Sequence, residues 1–260
     1  MISLTTILAD YPQNLRAHQE SILKEYLQVK ILNSIFNSPY NEKLVFLGGT
    51  ALRIVYESTR FSEDLDFDNF NLNDEEFIHL GKIIEADLRL EGLEVEIQTI
   101  TKKVYRLKIR IPKLLFENGL SGYINQKILI QVDTTPQHFE YQPEKMILNR
   151  FEIFTQINTV PKDLLLAQKI CASIGRKRIM GRDFFDIVFL YGIGATPNME
   201  YLHQKIGVQN VTELKKYYLE KIDKLDFAAL AKDVESILFD PRDIKKIILF
   251  PEFIKQKWGE

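Results

Sequence analysis

Cysteine is almost missing from this 260-residue chain: Cys171 stands alone. A single thiol excludes an internal disulfide framework and argues against a cysteine-rich zinc site. It lies in the apolar stretch LLLAQKICAS, where a small buried side chain is expected rather than a nucleophile. Net charge is equally scarce, -2 at pH 7, so a polyanionic partner has to be met by a local basic patch. The four histidines, His18, His79, His138 and His203, show no metal-ligand spacing. No apolar run reaches the roughly 18 residues of a membrane span. The opening MISLTTILADYPQ lacks a basic leader followed by an apolar core. Internal repeats, low-complexity tracts and long linkers are missing too. The expectation is a cytoplasmic protein with no membrane partner.

What is present divides the chain in two. Residues 13 to 37 carry an amphipathic helical pattern, ended by Pro39 and Asn41. KLVFLGG reads as a short buried strand stopping at two glycines, and TALRIVYES as a helix. EDLDFDNF returns to period two, and NDEEFIHLGKIIEADLRLEG opens a helix with acidic residues in its first turn. EVEIQTI, VYRLKIRIP and QKILIQVD alternate as strands. Beyond Pro161 every patterned segment is helical. The organisation is a mixed α/β domain over 1–160, with an N-terminal helix, and a helical domain over 161–260, joined near Asn158 to Pro161.

The chemistry concentrates in FLGGTALRIVYESTRFSEDLDFDNF, Phe46 to Phe70. Glycines between a strand and a helix let backbone N–H groups approach a ligand, and a helix start favours an anion; a tight turn also explains such a pair. In a strand, Asp64 and Asp66 share one face, roughly 6.6–7 Å apart along the chain. Two carboxylates there repel unless solvated or neutralised by a cation, and hard oxygen ligands suit Mg²⁺. Asp133 ends QKILIQVD on the face opposite Ile128, Ile130 and Val132. Two readings of it are open: a third carboxylate converging on a two-metal site, or a cap for the turn Asp-Thr-Thr-Pro.

GGTALRIVY followed by RFSEDLDF resembles the signature of the AbiEii/AbiGii-type nucleotidyltransferases. These are toxins of type IV toxin–antitoxin systems, within the DNA polymerase β-like nucleotidyltransferase superfamily. The resemblance continues through Asp133, LLLAQKICAS and RDFFDI, covering about residues 40 to 190. Fourteen residues separate Gly49 from Asp64, longer than the superfamily's usual gap but in keeping with the toxin branch. The resemblance implies an α+β fold, with a mixed-sheet nucleotidyltransferase domain followed by an all-helical one. It also implies transfer of a nucleoside monophosphate from an NTP, assisted by Mg²⁺ or Mn²⁺. Asp64, Asp66 and Asp133 would be the metal ligands, with Asp133 also receiving the acceptor's proton. Gly48, Gly49, Thr50 and Ser62 would meet the phosphates. Lys169 sits among Leu165, Leu166 and Ala172, either snorkelling to the surface or turned inward; the resemblance makes it a nucleotide-phosphate ligand. Asp183 and Asp186, three apart on one helical face, would position lysine and nucleotide, with Asp186 facing inward. Asp183 alternatively caps its helix.

The acceptor is less specified. Arg176, Lys177, Arg178 and Arg182 form a basic cluster suited to an RNA backbone. Arg106, Lys108 and Arg110 make a second basic stripe, which Glu94 and Glu96 are expected to neutralise across strands. Arg60 suits a phosphate or a pairing with Glu57 or Glu63. Family analogy suggests the 3′ end of tRNA as acceptor and a cognate antitoxin, encoded nearby, as partner. The alternatives are the same chemistry on a small-molecule or protein hydroxyl, and a non-catalytic nucleotide-binding module.

Overall fold

The computed structural model describes residues 2–102 and 104–259. The chain folds into two compact units. The first runs through Glu57, resumes at Phe61 and ends at Thr159; the second takes Ser58–Arg60 and everything from Val160 onward.

The first unit is built on one seven-stranded sheet: β1 (Leu44–Leu47), β2 (Leu65–Asn69), β3 (Glu96–Ile100), β4 (Tyr105–Pro112), β5 (Lys127–Pro136), β6 (Glu144–Arg150) and β7 (Ile153–Thr159). Their spatial order is β3-β4-β5-β2-β1-β7-β6. β2 runs parallel to β5 and β1 parallel to β7, whereas the other pairs are antiparallel. The sheet is therefore mixed, as expected. Period-two patterning sorts its faces. Leu65, Phe67, Leu107, Ile109, Ile111, Ile128, Ile130 and Val132 are buried, while the alternate positions carry Asp66, Arg106, Lys108, Arg110, Gln131 and Asp133.

Helices Gln19–Phe36 and Asp74–Leu90 pack on this sheet and on each other. The second is stopped at its N-terminus by a full capping box between Asn73 and Glu76. Its Gly81 lies against Leu107, where an added Cβ would meet Leu107 Cδ2 at 3.2 Å. The first helix differs from the amphipathic expectation, being buried almost all round. Its buried charged side chains, Glu25 and Lys30, are retained because each finds a partner. Glu25 accepts from Tyr11 at 2.7 Å and Arg53 at 2.9 Å and pairs with Arg150. Lys30 is 2.6 Å from both Glu91 and Glu152.

The hairpin β6–β7 was not read from the sequence. Its turn holds Phe151 at φ 54°, left-handed backbone that a bulky residue adopts only under compensation. Tyr26 packs edge-on against Phe151 at 5.2 Å, and the Arg150 guanidinium stands 5.3 Å from its ring.

The second unit is helical, led by Lys162–Gly175, Gly181–Gly192, Met199–Ile206, Val211–Ile222, Phe227–Lys232 and Phe250–Lys257. The pattern from Asp243 to Lys257 is two helices rather than one, the second starting with Pro251 in its first turn. Phe184, Phe227 and Phe250 pack ring against ring. Residues 58–60 lie against this unit: Arg60 bridges to Leu238, and Phe239 N–H donates to the Thr59 carbonyl at 3.0 Å.

Gly181 begins the second long helix against the backbone of Leu230, and an added Cβ would fall on the Leu230 carbonyl. Gly181→Ala is expected to cost about 3 kcal/mol or more, since a backbone carbonyl cannot swing aside as a side chain does. A lowered urea midpoint with an unchanged slope would report it; wild-type stability would mean the helices slide apart at no cost.

Candidate functional site

The first group of candidate residues lies on the polar face of the sheet. Gly48 starts helix Gly48–Ile54 directly after β1 with φ +83°, and an added Cβ would meet Asp66 Oδ2 at 2.5 Å. Both facts require glycine there. Gly48 therefore lets the backbone turn while pressing it onto a carboxylate.

Register then lines up the charges. Asp66 is the direct neighbour of Asp133 on β5, and Asp133 of Arg106 on β4. Asp64 sits one residue before β2, where its Oδ1 accepts from Gln131 Nε2 at 3.2 Å. Asp133 is not at the strand's end: β5 continues through Thr134, Thr135 and Pro136, paired with Phe67, Asp68 and Asn69. That continuation removes the turn-cap reading. Asp68, third in the alternation, is buried, and its Oδ2 accepts from Gln137 at 2.6 Å and Tyr141 at 2.7 Å.

Several groups fix the segment before Asp64. Gln28 Nε2 donates to the carbonyls of Ser62 at 3.0 Å and Glu63 at 2.8 Å. Thr50 Oγ1 donates to the Asp64 carbonyl at 2.5 Å. The Thr50 hydroxyl is thus engaged in tying helix to strand. Ser62 is half-buried. Gln28, on the buried helix, is a positioning residue that sequence reasoning missed; its only signal was a polar side chain amid an apolar helical run.

The basic stripe is paired differently from the expectation. Glu94 pairs with Lys113, and Lys127 reaches Glu96 at 2.7 Å. Arg106 instead forks onto Asp133, with Nε to Oδ1 and Nη2 to Oδ2 both at 2.6 Å. These hydrogen bonds, then the charges of Asp133, Asp64 and Asp66, outweigh desolvation and raise the guanidinium's pKa above its ordinary value. Among the described residues no three His, Cys, Asp or Glu side chains form a ready metal cage. Asp64 and Asp66 nevertheless offer an all-oxygen pair, which fits a hard divalent cation that keeps much of its shell from water and phosphate.

The second group lies within the helical unit. Asp183 and Asp186 are fully buried on helix Gly181–Gly192. Lys169, itself nearly buried, reaches Asp186 at 2.7 Å and Asp183 at 3.2 Å. Arg176 reaches Asp183 at 3.3 Å. Arg60 corrects the sequence reading: its partner is neither Glu57 nor Glu63, but Asp186, gripped by Nε and Nη2 at 2.7 Å each. Glu63 pairs with Lys24 instead. Burial pushes the Asp186 carboxyl up, yet Arg60 and Lys169 together hold it below the ordinary range. Lys169 is therefore turned inward, kept by two carboxylates. Breaking one partner of such a buried pair leaves an uncompensated charge and costs on the order of 3–5 kcal/mol.

The basic cluster divides. Arg176 joins Asp183, whereas Arg178 points outward and comes 3.6 Å from Asp233. Lys177 is exposed and Arg182 half-buried. Burial raises the Cys171 thiol to about 11, so it remains protonated and unreactive. Among the described residues, no helix is long and apolar enough to cross a membrane.

Comparison with known proteins bears on these groups. A family model described as the nucleotidyl transferase AbiEii toxin of type IV toxin–antitoxin systems matches residues 30–251. No curated protein matches the chain. Among solved structures, JHP933 from Helicobacter pylori is 20% identical, with a TM-score of 0.58 over 92% of this chain and 93% of that one. A putative nucleotidyltransferase from H. pylori is also 20% identical, with a TM-score of 0.57 over 92% and 96%. MenT4, a nucleotidyltransferase toxin from Mycobacterium tuberculosis H37Rv, is 15% identical, with a TM-score of 0.61 over 99% and 93%. At these identities the structures show a shared fold.

Proposed function

Since the chain belongs to the AbiEii nucleotidyltransferase toxin family, we propose that it moves a nucleoside monophosphate from an NTP to a hydroxyl of RNA, the 3′ end of tRNA in particular. A cognate antitoxin holds it in check. The family implies the nucleotide substrate and the antitoxin; the acceptor and the metal are our reading. The observation carrying it is the row Asp66–Asp133, in register on parallel strands, with Gly48 backed onto Asp66 and Asp64 beside Gln131.

Asp64 and Asp66 would hold Mg²⁺ or Mn²⁺, joined by Asp133. Such an ion neutralises phosphate charge and polarises the phosphoryl group. Asp133 takes the proton of the acceptor hydroxyl as its oxygen attacks the α-phosphorus and the bond to pyrophosphate breaks. Backbone N–H groups at Gly48, Gly49 and Thr50, with the Ser62 hydroxyl, receive phosphate oxygens. Lys169 takes a further phosphate oxygen, its ammonium held in place by Asp183 and Asp186. Arg176, Lys177, Arg178 and Arg182 supply the charge for an RNA backbone.

The test is incubation with each labelled NTP, Mg²⁺ and total cellular RNA. Label is expected in tRNA-sized RNA with a preferred NTP, stopped by EDTA and restored by Mg²⁺ or Mn²⁺. Label in a small molecule or in protein would replace the acceptor; activity surviving exhaustive chelation would remove the metal. Nucleotide binding without transfer to any acceptor would leave a binding module.

A further inference from the structure

Arg106 is the one member of the carboxylate row that nucleotidyl transfer, as described above, leaves without a task. It stands in register with Asp133, which stands in register with Asp66. Its fork covers both Asp133 oxygens at 2.6 Å. The pair is half-screened: the Asp133 side chain is 19% exposed and that of Arg106 37%. A guanidinium and a divalent cation on the same carboxylate repel each other, and the partner Asp133 holds here is the arginine. The opposite face of β4 is pinned by buried Leu107, Ile109 and Ile111, so the strand stays put while the long side chain is free to re-aim. A guanidinium fork fits two phosphate oxygens as well as two carboxylate oxygens.

We propose that Arg106 is the resident counter-ion of Asp133, displaced when a divalent cation enters, and that the displaced fork then takes phosphate oxygens of the nucleotide. The proposal rests on nucleotidyl transfer at this row and deepens it. One side chain thereby keeps three neighbouring carboxylates from repelling each other before substrate arrives. It adds a phosphate contact once the cation has taken over that neutralising role. No covalent step is involved, only an exchange of ion partners.

Mn²⁺ and inorganic triphosphate are suitable probes, because neither depends on base preference or on turnover. Calorimetry, supported by the spin-resonance signal of free Mn²⁺, is expected to show R106Q binding Mn²⁺ about tenfold or more tighter than wild type, the size of one charged hydrogen-bond partner removed from Asp133. The same variant is expected to bind triphosphate in the presence of Mn²⁺ about tenfold more weakly. R106K keeps the charge but not the fork. Its Mn²⁺ affinity should stay near wild type while triphosphate weakens, and this variant carries the test if R106Q does not fold. Mn²⁺ binding that depends on Asp64 but is the same in R106Q and wild type overturns the proposal alone, as does unchanged triphosphate affinity in both variants. If neither wild type nor R106Q binds Mn²⁺, the proposal falls together with the reading beneath it.

Discussion

Asp64→Ala protein, produced without a partner, is expected to leave growth at the rate of cells carrying no toxin, while wild type slows it. In the test tube the same variant should lose transfer by about 10³-fold or more, because a metal ligand supports several kcal/mol of charge stabilisation and each 1.36 kcal/mol is tenfold in rate. Asp64→Asn separates charge from shape. The amide keeps a partner for Gln131, which now sits 3.2 Å from Oδ1, and it leaves untouched the Thr50 bond, which uses the Asp64 backbone carbonyl. The local fold is therefore preserved while one negative charge is lost. Both variants should be inactive and harmless. An Asp64→Asn protein as toxic as wild type would remove the metal-ligand role, and an inactive variant that still slowed growth would detach toxicity from transfer.

Much of this geometry was legible because period-two alternation is enforced by burial. Leu65 and Phe67 have to face the core, so Asp66 cannot, and the same logic placed Asp133 opposite Ile130 and Val132. The glycine pair announced a close approach, although which atom it approaches depends on strand order. Strand order is what a sequence does not print. EVEIQTI and VYRLKIRIP do pair, with Glu96 beside Arg110, so cross-strand neutralisation of the basic stripe was a sound inference from those two strands. It failed because β5 lies on the other side of β4 and offers Asp133 to Arg106 and Lys127 to Glu96.

The remaining misses share a cause: tertiary partners override a local signal. The β6–β7 hairpin has no Asn-Gly or Asp-Gly at its turn, and Phe151 tolerates positive φ there only with Tyr26 and Arg150 packed around it. Solvent-facing Ile147 and Phe154 further blur its alternation. Helix Gln19–Phe36 looked amphipathic because Glu25, Gln28 and Lys30 are polar, yet each is buried against partners far away in the chain. Arg60 behaved likewise. Nearby acids were the obvious partners by sequence distance, and the buried one 126 residues away took it.

Asp133→Asn separates nucleotide binding from chemistry. Asp64 and Asp66 are contributed by β2 and the residue before it, and the glycine turn follows β1, so the proposed hold on the triphosphate survives without Asp133. Asparagine keeps the shape of the side chain and one acceptor for Arg106, but it is a poor proton acceptor. It also loosens the grip on Arg106, which frees that fork for phosphate. NTP affinity should therefore be held or slightly improved, while transfer falls by about 10²–10⁴-fold, the contribution of a positioned base. The rate falls while affinity does not, which a general loss of structure would not produce. A melting temperature near wild type confirms that the sheet is intact, and Asp133→Glu, with its carboxylate one methylene further out, should recover part of the rate. A folded Asp133→Asn protein transferring at the wild-type rate would leave Asp133 as the counter-ion of Arg106 and nothing more. Weakened NTP binding, with the rate at saturation unchanged, would move it from proton acceptor to nucleotide ligand.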